Sequence, residues 1–148
     1  MKHPLSKFLL LLFLLAGCSS ATKLKTTFSF PEETWNRFNN PVLNFDITTP
    51  GIFYDMFLEL EFDEAQARDK FMVTVIMYTP SGEMRSRDMD LNFSKKENIT
   101  EPGKIRLVLR REFAFSDKGV CQFEIENRSS KVVTPGMKSI SVVFERSQ

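Results

Sequence analysis

Apolar and polar residues alternate along most of this chain. Tyr54, Met56, Leu58, Leu60 and Phe62 take one phase, while Asp55, Phe57, Glu59 and Glu61 take the other. That is the period of a strand with one face turned to a core. Phe71, Val73, Val75 and Met77 interleave with Met72, Thr74, Ile76 and Tyr78. This strand is apolar on both faces, which predicts a central position. Asp88–Phe93 alternates strictly, and Ile105–Phe115 does so apart from Arg111, a cation on the inner phase. Strands are predicted again over 119–126 and 138–145, and weaker ones around Leu24–Phe30 and Val42–Ile47. Pro41, Thr49-Pro50-Gly51, Pro80-Ser81-Gly82, Glu101-Pro102-Gly103, Asp117-Lys118-Gly119 and Thr134-Pro135-Gly136 fall between these runs as turns. Asp63–Lys70 and Glu32–Phe38 are each long enough for one or two helical turns. About eight strands at roughly ten-residue spacing predict an all-β fold, an antiparallel β-sandwich of two sheets, with a barrel as the alternative.

One segment breaks the alternation. After Lys2, His3 and Lys7, residues 8–16 carry no polar side chain. A basic start and a short apolar run read as a signal peptide, too short to span a bilayer. The run ends in Leu15-Ala16-Gly17-Cys18, which resembles the bacterial lipobox, where a peptidase cuts ahead of a cysteine carrying diacylglycerol. The expected organisation is a signal peptide over 1–17, removed, then a lipidated Cys18 with a polar tether over 18–27, then a single β-sandwich domain over 28–148. Each buried acyl methylene contributes about 0.8 kcal/mol, so two or three chains make a stable membrane anchor. Ser19 and Ser20 stand where an inner-membrane retention signal places Asp, which points to the outer membrane. No acidic run follows, which favours its periplasmic face.

Composition excludes more than it asserts. The signal takes two of the twenty basic residues and none of the nineteen acidic ones. The mature chain is then near neutral with interspersed signs, which gives no footprint for nucleic acid. The only histidine, His3, leaves with the signal, so Ser-His-Asp and Cys-His catalysis and His-containing zinc sites are excluded. With Cys18 committed to lipid, Cys121 has no disulfide partner, and alternation places it beside Phe123 and Ile125 as a small buried hydrophobe.

Three groups of residues could carry chemistry. Glu59, Glu61, Asp63, Glu64 and Asp69 are acidic enough for calcium but lack the spacing of a dedicated loop, and a solvated strand edge explains them as well. Asp88 and Asp90 share a face, as two glycosidase carboxylates would, yet alternate acids are ordinary on a half-exposed strand. Trp35, with Asn36 and its aromatic and Arg neighbours, reads as a sugar platform or, more simply, as a cap on the core with Phe38 packed below it. Fifteen phenylalanines exceed what such a core needs, and Phe53 and Phe57 fall on the polar phase of their strand. They predict an exposed apolar patch that meets a protein partner. No cofactor, metal or enzymatic activity is expected.

Scattered residues also carry a family likeness. Phe28, Phe30, Pro31 and Trp35 lead into Phe45-Asp46-Ile47, and a Thr-Pro-Ser-Gly turn spans Thr79 to Gly82. Gly119, Phe123, Ile125, Glu126 and Arg128 form one late strand pattern, and Gly136, Met137, Ile140, Ser141 and Val142 another. In these features the chain resembles the gliding-motility lipoprotein GldH family of the Bacteroidetes. It departs from that family in lacking a Tyr-Pro pair after the first long strand. The resemblance implies a non-enzymatic envelope component, tied to gliding and its secretion machinery, that acts through envelope protein partners. Read from the residues alone, the alternative is a lipid-anchored module for a glycan or small ligand.

Overall fold

A computed structural model of the chain describes residues 23–67 and 70–148. The expected signal peptide, Cys18 and the first part of the tether lie outside the described residues, as does Asp69. Eleven strands follow in order: β1 (Lys23–Ser29), β2 (Thr34–Asn36), β3 (Val42–Ile47), β4 (Phe53–Phe62), β5 (Phe71–Tyr78), β6 (Met84–Leu91), β7 (Ile99–Glu101), β8 (Lys104–Ala114), β9 (Gly119–Asn127), β10 (Val133–Pro135) and β11 (Met137–Arg146). One sheet has the order β1-β11-β4-β8-β7, the other β3-β9-β5-β6, and β2 pairs with β10 in a short ribbon. All these pairings are antiparallel. The fold is the all-β sandwich that the alternation predicts, and no α-helix occurs among the described residues.

The two inner faces meet in a core of aromatic and aliphatic side chains. Phe144 of β11 stacks on Phe45 of β3 with ring centroids 4.2 Å apart, joining the sheets directly. Tyr54, Phe115 and Phe123 pack around that pair. At the other end Trp35 stacks on Phe30 at 4.8 Å and meets Phe71 edge-on, with Phe62 and Phe93 beside them. Offset and edge-to-face pairs of this kind add about 0.5–1.5 kcal/mol each beyond area burial. The phenylalanines are therefore spent largely inside. Among the described residues only Phe38 and Phe53 are exposed.

Three segments refine the expected elements. β1 begins at Lys23 and pairs with β11 through Ser29, so residues 23–27 of the expected tether are sheet. Leu24 and Phe28 pack against the core, and that burial draws them in. The expected helical turn over 32–38 is a single tight turn at Pro31–Glu33, with Glu32 and Glu33 at left-handed φ of +53 and +50, followed by β2. In the described part of 63–70, Gln66 and Ala67 N–H donate to the Asp63 carbonyl at 3.1 and 2.8 Å, forming one turn.

Arg111 on the inner phase of β8 is resolved by a bulge. Phe57 pairs with Val108 and Tyr54 with Phe113, so three steps on β4 are matched by five on β8. Two extra residues preserve the parity that turns Leu109, Phe113 and Phe115 inward, and they lift Arg111 out. Glu112, at φ +50, takes the left-handed turn this requires. Asp55 holds it there: the Glu112 N–H donates to Oδ1 at 3.0 Å and Arg111 Nη1 to Oδ2 at 2.8 Å.

Candidate functional site

Register defines the two ends of the sandwich. Lys23 pairs with Glu145, and Glu145 with Asp55, so the start of β1 lies level with the start of β4. The loops after β3, β5 and β8 gather at this entry end: Gly51 N–H donates to the Phe115 carbonyl at 3.0 Å, Ser147 N–H to that of Phe53 at 3.0 Å, and Gly119 lies against Pro80. The far end carries Trp35, the β2–β10 ribbon and the loop at 37–40.

The outer face of the five-stranded sheet is an ion-pair lattice. Lys25 Nζ meets Glu59 at 2.9 Å, Arg106 Nη2 meets Glu145 at 2.6 Å, and Glu145 also faces Lys23 at 3.8 Å. Lys104 bridges Glu101 and Glu61 at 2.6 and 3.4 Å, and Ser139 Oγ donates to Glu61 at 3.1 Å. Glu61 titrates below its ordinary value: burial pushes it up, but the Ser139 and Lys104 contacts outweigh that. Of the acids suggested for calcium, Glu59 and Glu61 are thus engaged with cations on neighbouring strands, while Asp63 Oδ1 accepts the Ala65 N–H at 2.9 Å. Among the described residues no group of three or more His, Cys, Asp or Glu is placed to hold a metal ion. Asp88 accepts a hydrogen bond from Thr74 Oγ1 at 2.7 Å.

That lattice also corrects the reading of Phe57. Its side chain does project from the outer face, but it is only 8% exposed. The Arg106 guanidinium lies over its ring at 3.8 Å and that of Arg111 at 5.3 Å. Val143, on the same face, is fully covered. Long cationic side chains thus roof the Phe57 ring while keeping their charge towards water.

Between the free edges of β6 and β8 the sandwich opens into a groove of about 430 Å³. Met56, Met77 and Leu109 form its floor, and Arg85, Arg87, Arg110 and Arg111 its rim. Arg87 Nη1 crosses the opening to the Leu109 carbonyl at 2.6 Å, tying one sheet to the other. Arg85 and Arg110 each lie 5.3 Å from the Phe113 ring. Inward-pointing cations of this kind blunt a free strand edge against pairing with another chain. Sequence reasoning missed this part of β6, because Arg85 and Arg87 occupy the phase of Met89 and Leu91. That shared parity was the available signal.

At the far end the predicted sugar platform separates into two parts. Trp35 is fully buried, its Nε1 without a protein acceptor among the described residues. It is core, and offers no ring face to a ligand. Phe38 does not pack below it: Phe38 is 77% exposed. Asn36 Oδ1 accepts the Phe38 N–H at 3.0 Å and shapes the turn that turns this ring outward. The Arg37 N–H donates to the Val132 carbonyl at 2.9 Å, which brings exposed Val132 and Val133 to the same end. Phe53 is exposed as expected, but at the entry end. Cys121 is fully buried, and desolvation pushes its thiol up to about 12, which leaves it an inert hydrophobe.

No family model matches the chain, and no curated protein matches it. Among solved structures, the tripod (BppUct-A-L) from the baseplate of bacteriophage Tuc2009 is similar over 86% of this chain and 90% of that chain, at 14% identity and a TM-score of 0.37. A likeness at that level speaks to neither fold nor function.

Proposed function

We propose that this chain is a lipid-anchored lipoprotein of a bacterial outer membrane. Its sandwich is a non-enzymatic, protein-binding part of an envelope assembly of the kind the GldH resemblance implies. The lipobox supports the anchor. The observation that supports protein binding is the position of Phe38, Val132 and Val133, exposed at the end opposite the one where the chain leads back to Cys18. A domain tethered at one end presents the other to what it meets, and a grouped apolar surface marks an interaction site. The outer face of the five-stranded sheet, neutralised by its own ion pairs, is a poorer candidate.

The test is affinity purification of the tagged, lipidated protein from detergent-solubilised envelopes, as wild type and as Phe38→Ser. Near-stoichiometric recovery of motility or secretion components with the wild type, and their loss with Phe38→Ser, is the expected result. A protein that emerges alone, or whose companions ignore the substitution, sinks this reading. A glycan reading keeps one supporting observation, since Phe38 sits among Asn36, Asn39, Asn40 and Arg37 as a stacking ring would. It predicts glycan binding that Phe38→Ser abolishes and that leaves Trp35 emission unchanged.

A further inference from the structure

The anchor reading has a geometric consequence for the entry end. Five peptide links separate Cys18 from Lys23, and a fully extended chain of that length spans at most about 17 Å. Lys23 is level with Asp55 through Glu145. Phe53 therefore stands two residues beyond Lys23 towards the membrane, about 7 Å at the rise of a strand. It lies two strands to the side of β1 in the sheet order, about 10 Å. What remains between the level of Phe53 and Cys18 is at most about 10 Å, comparable to the polar layer on one side of a bilayer, about 5–8 Å.

The same end carries other exposed apolar side chains. Phe53 is 57% exposed on the outer face of one sheet, and Val120 and Met84 are 54% and 64% exposed on that of the other. Residues of both signs lie in the same segments, Lys118, Arg146 and Arg85 among the cations and Asp46, Asp117 and Glu83 among the anions, with Arg85 and Glu83 paired at 2.9 Å. An apolar rim within a mixed-charge border suits the headgroup region of a membrane better than a strongly charged partner.

We infer that the entry end is a second, non-covalent membrane contact, with Phe53 seated among the lipid headgroups of the bilayer that holds Cys18. The inference rests on the lipid-anchor reading and adds an orientation to it. The long axis of the sandwich stands away from the membrane, Phe53 down and Phe38 out.

Phe53 and Phe38 give a matched pair of probes. With Cys18 acylated and Cys121 buried, a cysteine introduced at either position is the one reactive thiol among the described residues and Cys18. The lipidated protein is prepared as Phe53→Cys and Phe38→Cys, labelled with an environment-sensitive nitrobenzoxadiazole dye, and reconstituted in phosphatidylethanolamine–phosphatidylglycerol vesicles. Label at 53 is expected to brighten several-fold and to be quenched by headgroup-level nitroxide lipid, while label at 38 stays water-like. A water-like probe at 53 on protein that floats with the vesicles overturns the inference and leaves the anchor standing. Equal responses at both positions overturn it as well. Brightening at 53 that follows protein concentration in an unlipidated Cys18→Ser form assigns the surface to a second copy of the chain, and also overturns it. Protein that neither floats nor carries acyl groups on its N-terminal peptide removes the anchor reading and this inference together.

Discussion

Asp55 shows how one carboxylate can hold a region together. It accepts the Glu112 N–H, pairs with Arg111 and accepts Ser147 Oγ at 3.0 Å. It thereby ties the β8 bulge and Ser147 to the start of β4. Those contacts hold its carboxyl below the ordinary value of 3.8, the Glu112 backbone bond first and the Arg111 contact next, against an opposing effect of desolvation. A carboxylate whose pKa falls on folding stabilises fully above its unfolded value, and that contribution is lost as pH drops through the folded one. Asp55→Asn should therefore lower stability at neutral pH. The gap to the wild type should be flat above about pH 5 and close as pH falls below about 4. Urea midpoints across that range check this. A gap that persists undiminished at the acid end would mean Asp55 acts through shape rather than charge.

At the level of elements, the turn from β10 into β11 depends on a glycine. Gly136 sits at φ +78, and a Cβ there would stand 2.7 Å from Gln66 Cβ and 3.0 Å from the Ala67 nitrogen. Its carbonyl accepts the Asp63 N–H at 2.8 Å, so the turn also fixes the end of β4. Gly82 has φ +87 but nothing within 4 Å of the added atom. Gly82→Ala should cost about 1 kcal/mol for handedness alone, and Gly136→Ala about 2–4 kcal/mol from strain plus collision, both read from denaturant midpoints. Elements were legible in the sequence where the period of two is clean, as in β3, β5 and β9, whose buried residues alternate plainly. β2, β7 and β10 are three residues each, too short for any period to declare itself. The first half of β6 was hidden because Arg85 and Arg87 take the inner phase. The candidate site was less legible, because exposure depends on what distant strands lay over a residue. Phe57 has the outward phase but Arg106, from the paired strand, roofs it. Phe38 and Trp35 lie three residues apart, and only the pairing of β2 with β10 decides which one is covered.

For the molecule as a whole, the start of the folded domain is the feature that joins architecture to placement. Composition puts the boundary after the polar run ending at Thr27, whereas pairing already includes Lys23. β1 covers one edge of β11, whose Ile140, Val142 and Phe144 are fully buried. It also closes the sandwich towards β3, where Thr26 Oγ1 donates to the Asn44 carbonyl at 3.0 Å. A version of the protein beginning at Lys23 should fold cooperatively without lipid. One beginning at Phe30 loses the burial of Leu24 and Phe28 together with the strand's ladder. Two half-buried apolar side chains alone amount to about 2–3 kcal/mol, a large share of the margin of a domain this size. The stripped edge of β11 then presents unpaired backbone to other copies. The shorter version should unfold at clearly lower urea and should associate at concentrations where the longer one stays monomeric, as size-exclusion chromatography with light scattering would show. Equal stability of the two would mean that docking β1 contributes no net free energy, so that the strand leaves the sheet as readily as it joins it. The tether would then lengthen to twelve peptide links, from Cys18 to Phe30, and the short reach that brings Phe53 to the membrane would no longer be enforced.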